Sequence, residues 1–152
     1  MTATRRQARE WAVQMLAAAD MNPPDDVPAF IESFWNQVSD LDSEDGGPQK
    51  AVGKLRAFAE ERVAGVLGDL EGIDETISGL LVGWTLGRLG TVERAVLRLG
   101  IWEMKSTDVP HPVVINECID LANWFSSPRT RAIVNGVLDR YAKGKKSGES
   151  AG

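Results

Sequence analysis

The stretch Thr91-Val92-Glu93-Arg94-Ala95-Val96-Leu97-Arg98-Leu99-Gly100-Ile101-Trp102-Glu103-Met104 is apolar on two sides of a helix. At about 100° per residue, Val92, Ala95, Val96 and Leu99 form one stripe, and Leu97, Ile101 and Met104 form another. A helix apolar on two sides must be covered on two sides. Residues 92–104 are therefore expected in the middle of the fold, between two helical sub-bundles. Thr91 reads as the N-cap, with Glu93 in the first turn where the helix dipole favours an acid.

Outward from this segment the chain reads as helix throughout. No stretch alternates with period two, and no Asn-Gly or Asp-Gly joins two strand-like runs. On the N-terminal side, a first helix is expected from about Thr4 to Ala19, with Ala8, Trp11, Ala12, Met15, Leu16 and Ala19 on one stripe. Pro23-Pro24 ends it. A second starts near Pro28 and buries Phe30, Ile31, Phe34, Trp35 and Val38, and Asp40 to Pro48 reads as a polar loop. A third covers about Gln49–Leu70, with Leu55, Phe58, Ala59, Val63, Val66 and Leu67 inward. A fourth covers about Asp74–Arg88 through Trp84, with Gly90 as its C′ glycine. On the C-terminal side, Asp108-Val109-Pro110-His111-Pro112 reads as an extended connector. A sixth helix, Val113–Phe125, buries Val114, Ile115, Cys118, Leu121, Ala122 and Phe125 and leaves Asn116, Glu117, Asp120 and Asn123 outward; Trp124 is expected to be partly exposed. Ser127-Pro128 opens a seventh as N-cap and N1 proline, burying Ile133, Val134, Val137, Leu138 and Tyr141. The expectation is an all-α domain of about seven helices over residues 1–144, with sub-bundles of about 1–70 and 71–144 sharing a central helix. Residues 145–152 read as a disordered tail.

The chain has 152 residues, 43% of them hydrophobic, which excludes long disorder. The most apolar run, Ile77 to Trp84, is too short for a bilayer, so no membrane association is expected. One cysteine, Cys118, precludes an intrachain disulfide and fits a reducing compartment, and no secretory leader is apparent. Enzyme chemistry finds little support. The only histidine, His111, lies in a proline-flanked loop, and Cys118 falls on an apolar helix face. Zinc-ligand spacing, a phosphate-cradling glycine loop and EF-hand spacing are all missing. No catalytic residue, metal or cofactor is expected.

Charge is distributed unevenly. The net charge of −5 resolves into +3 over residues 1–9, −9 over 10–49, −3 over 50–128 and +4 over 129–152. Arg5, Arg6 and Arg9 project from one side of the first helix, and guanidinium forks suit phosphates and stack on unpaired bases. Arg129 and Arg131 add to them only if the fold brings the two ends onto one surface.

The run Arg5-Arg6-Gln7-Ala8-Arg9-Glu10-Trp11-Ala12-Val13-Gln14-Met15-Leu16 resembles the arginine-rich opening of the NusB family of bacterial transcription antitermination factors. Val92-Glu93-Arg94-Ala95-Val96-Leu97-Arg98 with Trp102-Glu103-Met104 is similar to its central helix. Asp108-Val109-Pro110 and Val114 to Ala122 resemble its connector and next helix, and Val134-Asn135-Gly136-Val137-Leu138-Asp139 resembles its last. The pattern departs at Ile133, where an aromatic is usual, at Asn123, where a lysine is usual, and at Ala17-Ala18-Ala19, which lack the usual aromatic.

The resemblance implies a non-catalytic bacterial cytoplasmic protein. It would bind boxA-type single-stranded RNA of ribosomal RNA leaders together with the ribosomal protein NusE, within the RNA polymerase antitermination complex. Arg5, Arg6 and Arg9 would hold phosphates, with Arg129 and Arg131 on a second RNA-facing edge. Gln14, Thr130 and Asn135 would contact bases or sugars. Glu93, Arg94 and Leu97 would face NusE. The family also allows a homodimer that hides the arginine helix. Two other readings stay open: a protein–protein adaptor without RNA binding, and a stand-alone relative of the RNA-binding domain of ribosomal RNA cytosine methyltransferases.

Overall fold

The computed structural model describes residues 4–42, 49–125 and 127–151, with side chains over 4–38, 53–123 and 127–144. The centre of the expected 40–48 loop and the expected exposure of Trp124 lie outside them. Seven α-helices follow in order: α1 (Arg5–Met21), α2 (Val27–Asp42), α3 (Gln49–Gly68), α4 (Leu70–Leu80), α5 (Thr91–Ser106), α6 (His111–Phe125) and α7 (Pro128–Ala151). One turn of 3-10 helix covers Leu86–Arg88, and no strand occurs among the described residues. No helix among them is long and apolar enough to cross a membrane.

The helix starts follow from short polar side chains. Thr4 Oγ1 accepts from Gln7 N–H at 3.2 Å, Asp26 Oδ1 from Ala29 N–H at 3.1 Å, and Ser127 Oγ from Thr130 N–H at 3.3 Å. Several boundaries differ from the sequence expectation, and the fourth helix starts at Leu70 rather than at about Asp74. The fourth helix stops at Leu80, and the chain is extended at Leu81 before Gly83 turns it with φ +74°. That turn carries Trp84 out of the helix expected to contain it. Gly90, not Thr91, caps α5, because the Glu93 side chain folds back into the space a Cβ at 90 would fill. The sixth helix begins at His111, with Val113 and Val114 N–H donating to Pro110 C=O; Pro112 fits its first turn because N–H groups there have no intrahelical partner anyway. Finally, α7 runs on to Ala151 rather than stopping at Gly144.

The α5 helix is the axis of the core. Ala95, Val96, Leu97, Leu99 and Ile101 are fully buried, and α5 touches α1, α3 and α4 as well as α6 and α7. This is the two-sided covering that its two stripes require. Two glycines allow the close approaches. A Cβ at Gly65 of α3 would land inside the Trp102 indole, and one at Gly100 of α5 would lie 2.9 Å from Leu138 and 3.0 Å from the Cys118 thiol. The α2 helix joins through Trp35, buried, edge-on to Trp11 at 5.3 Å, with its indole N–H donating to Glu60 at 2.6 Å.

The two glycines of α3 in different settings separate packing from helix propensity. Gly65→Ala is expected to lower the unfolding free energy by about 1–3 kcal/mol, since a rigid indole must move. Gly53→Ala, with open space around the new methyl, is expected to raise it by about 0.5–1 kcal/mol. Urea unfolding of both variants checks the pair of signs.

Candidate nucleic-acid interface

The first turns of α1 and α7 both lack an acid and carry arginine instead. Cations at a helix N-terminus oppose the macrodipole, so both starts give up a little local stability to concentrate positive charge. At the start of α1, Thr4, Arg5, Arg6, Arg9, Val109, Val113 and Glu117 line an open cleft of about 450 Å³. Arg5 and Arg6 bring positive charge to its walls, Glu117 brings one negative charge, and Val109 and Val113 contribute an apolar lining. A nucleotide presents the matching pair of surfaces, an anionic phosphate and a flat apolar base.

The three arginines of α1 have three different fates. Arg5 is exposed, with its guanidinium carbon 5.7 Å from the centre of the Phe58 ring, and pairs with no carboxylate among the described residues. Arg6 is about half exposed; its Nε–H donates to Glu117 at 3.0 Å and its Nη2 to Asp120 at 2.8 Å. The Glu117 hydrogen bond is the main reason its proton is held more firmly than usual. Arg9 is only 4% exposed and donates to both oxygens of Glu103, which is fully buried. The expectation that Arg9 grips phosphate is therefore corrected: it is one arm of an interior ion pair.

The fold does bring the two basic ends together, through α6. Its outward residues Glu117, Asp120 and Asn123 follow at helical spacing, and Arg131 of α7 donates to Asn123 at 2.7 Å. Asp120 and Asn123 are about 4.5 Å apart along the helix axis, so Arg6 and Arg131 hold adjacent positions on one ridge. Asn135, exposed, lies one turn beyond Arg131, and Gln14, exposed, lies about 12 Å along α1 from Arg6. Thr130 is taken up by the Ser127 cap. Arg129 leaves the ridge: its guanidinium stacks 4.9 Å from the centre of the Trp84 ring, with Arg88 5.6 Å from the same ring.

The residues expected to face a protein partner lie deeper than the sequence suggests. Leu97 is fully buried and contributes to no surface, which corrects that expectation. Arg94 donates to Asp20 at 2.7 Å and to the carbonyls of Leu86 and Leu89. Glu93 is 8% exposed. Only the rim of the first turn of α5 remains accessible.

Two ion clusters, one buried and one partly buried, are absent from the sequence expectations. In one, Glu103 of α5 accepts from Arg9 of α1 and Arg62 of α3, and the Arg62 guanidinium lies 3.3 Å from the centre of the Phe58 ring. In the other, Asp20 accepts from Arg94 and Arg98, and Arg98 also grips Asp74 at 2.8 Å, joining α1, α4 and α5. Burial pushes the Asp20 carboxyl up, but hydrogen bonds from Arg98 and Arg94 outweigh this and hold it below the usual range. A signal for the first cluster was present: Glu103 continues the Val92–Val96–Leu99 stripe, and Arg62 falls between Ala59 and Val66 on the core face of α3. Charges inside apolar stripes must pair with each other. Cys118 is fully buried, and that burial, with the nearby Glu103 charge, lifts its thiol far above the usual value, which leaves it no nucleophilic character.

An all-α protein wound around one central helix, with an arginine-bearing cleft between the start of α1 and α6, is the class these features define. The model of the NusB family matches residues 6–143. The chain is 39% identical to the transcription antitermination protein NusB of Sorangium cellulosum, over 91% of each chain. Among solved structures, a NusB from T. maritima superposes with a TM-score of 0.76 at 29% identity, covering 94% of this chain and 93% of that one. The NusB of a crystal structure of NusB and NusE with double-stranded RNA superposes with a TM-score of 0.71 at 25% identity, covering 92% and 96%. The chain belongs to the NusB family.

Removing the central carboxylate strands two buried guanidinium groups. Glu103→Gln is expected to cost about 3–5 kcal/mol of unfolding free energy, read by denaturant melting. Asp20 sets an acid limit. Its native value is lowered, so its stabilisation is complete above the ordinary value of 3.8 and fades as pH falls through the lower native one. The stability gap between wild type and Asp20→Asn should therefore be constant from about pH 8 to about pH 5 and close below 3.8.

Proposed function

We propose that this chain is a transcription antitermination factor that binds boxA-type single-stranded RNA of ribosomal RNA leaders together with ribosomal protein NusE, in the bacterial cytoplasm. The observation that carries the RNA-binding face is the meeting of two basic helix starts on α6, beside the cleft lined by Val109 and Val113. Arg5, Arg6 and Arg131 hold phosphates, Asn135 and Gln14 reach sugars or bases, and Arg9 fixes the direction of α1 from beneath. The patch is small and set in an acidic body, which suits a short flexible strand better than the long face of a duplex. The rim of α5 around Glu93 is the part of the expected partner surface left for NusE.

With about two to three phosphates engaged, log K should fall with log salt at a slope of about −1.4 to −2. Fluorescence anisotropy with a boxA-like oligomer, a scrambled one and a duplex, each with and without NusE, tests the assignment. Arg5→Ala with Arg6→Ala should weaken binding about tenfold or more while the thermal melt stays within the range of surface substitutions. Arg9→Ala should instead destabilise the fold by about 1.5–3 kcal/mol, since Glu103 keeps Arg62 but loses the buried hydrogen bonds from Arg9. Retention of NusE by a chain with no RNA affinity, alone or in the pair, would establish the adaptor reading in its place.

A further inference from the structure

We propose that Glu117 and Asp120 are built-in competitors for Arg6, which restrain its grip on phosphate and so favour RNA that makes additional contacts over any polyanion. The inference rests on the RNA-binding face described above and assigns its regulation. The geometry is specific. A guanidinium recognises phosphate best along an edge that offers two parallel N–H groups. On Arg6 the edge formed by Nε and Nη2 is already taken, with Nε donating to Glu117 Oε2 at 3.0 Å and Nη2 to Glu117 Oε1 at 3.4 Å and to Asp120 Oδ2 at 2.8 Å. Two carboxylates thus occupy the donors that a phosphate would use.

The surroundings make this a competition and not a fixed strut. The Arg6, Glu117 and Asp120 side chains are 51%, 22% and 44% exposed, so water and salt reach the pairs and each is worth little to folding. The contrast with Arg9 is direct: one turn along the same helix, that guanidinium is locked to a carboxylate with no exposure at all. Glu117 also lines the cleft, so a phosphate that enters meets its negative charge whichever Arg6 edge it takes. A strand held only by its backbone bears this repulsion without compensation. A strand whose bases settle against Val109 and Val113, or that is also held by a protein partner, offsets it. Specificity is a difference between two affinities, and a repulsive element that penalises the weaker ligand more in proportion raises it.

The test compares wild type, Glu117→Gln with Asp120→Asn, Arg6→Ala, and all three substitutions together. Each is titrated with boxA-like and scrambled single-stranded RNA in the presence of NusE across a salt series, with thermal melts as a check on folding. The carboxamide variant is expected to bind both RNAs more tightly, by about threefold to tenfold, with the larger gain for the scrambled strand and a salt slope steeper by about 0.7. The gain should vanish when Arg6 is alanine. Unchanged or weaker binding by the carboxamide variant would overturn the proposal, as would a gain that persists without Arg6, since that reports general charge reduction. The two readings fail separately. If Arg6→Ala weakens RNA binding while the carboxamide variant equals wild type, only the competitor role falls. If neither Arg6→Ala nor the carboxamide variant differs from wild type, the RNA-binding face falls with it.

Discussion

Glu103, wholly enclosed and gripped by Arg9 and Arg62, is the constraint on which the rest of the molecule depends. A bare carboxylate could not be buried there, and two guanidinium groups could not be buried without it. Glu103 stands on α5 and its partners come from α1 and α3, so one cluster fixes the mutual placement of the central helix and two of those covering it. It also sets what emerges at the surface. Arg9 is one turn from Arg5, and both lie near the ring of Phe58, so anchoring Arg9 determines where Arg5 and Arg6 leave the body. The cluster carries one positive charge in excess, directly beneath the cleft.

Much of this was legible in the sequence. Two apolar stripes on residues 92–104 require a central helix, and that is where α5 sits. The clustering of arginine at both ends pointed to a cationic surface, though not to the helix that joins them. Helical spacing assigns direction, not partner. It grouped Arg5, Arg6 and Arg9 by angle, but only the tertiary arrangement shows that Arg9 meets Glu103 while Arg6 meets Glu117. Leu97 was misread for the same reason: the helix is covered on so many sides that even its expected partner-facing residue is enclosed. Gly83 shows a further limit. Apolar periodicity runs through Trp84 unbroken, and the left-handed turn that ends the regularity is a property of one glycine.

The overall acidity of the chain and its local basicity are complementary features. Long-range repulsion from an anionic body weakens adventitious association with nucleic acid, and salt screens it over roughly 8–10 Å. Short-range contacts from a few guanidinium groups act inside that distance. A ligand must therefore approach one particular place in one particular orientation before attraction prevails. Asn123, on the ridge between the two basic ends, serves as a neutral acceptor for Arg131.

Cys118 has a practical bearing on how this molecule can be observed. It is the sole thiol of the chain, and it is sealed between α5 and α7 beside Gly100. Maleimide dyes and spin labels, which require an accessible thiolate, have no native target on the folded protein. A cysteine engineered on the outer side of any helix is thus a unique attachment point, and distances between such reporters can follow the motion of α1 against α6 without first stripping the chain of its own sulfur.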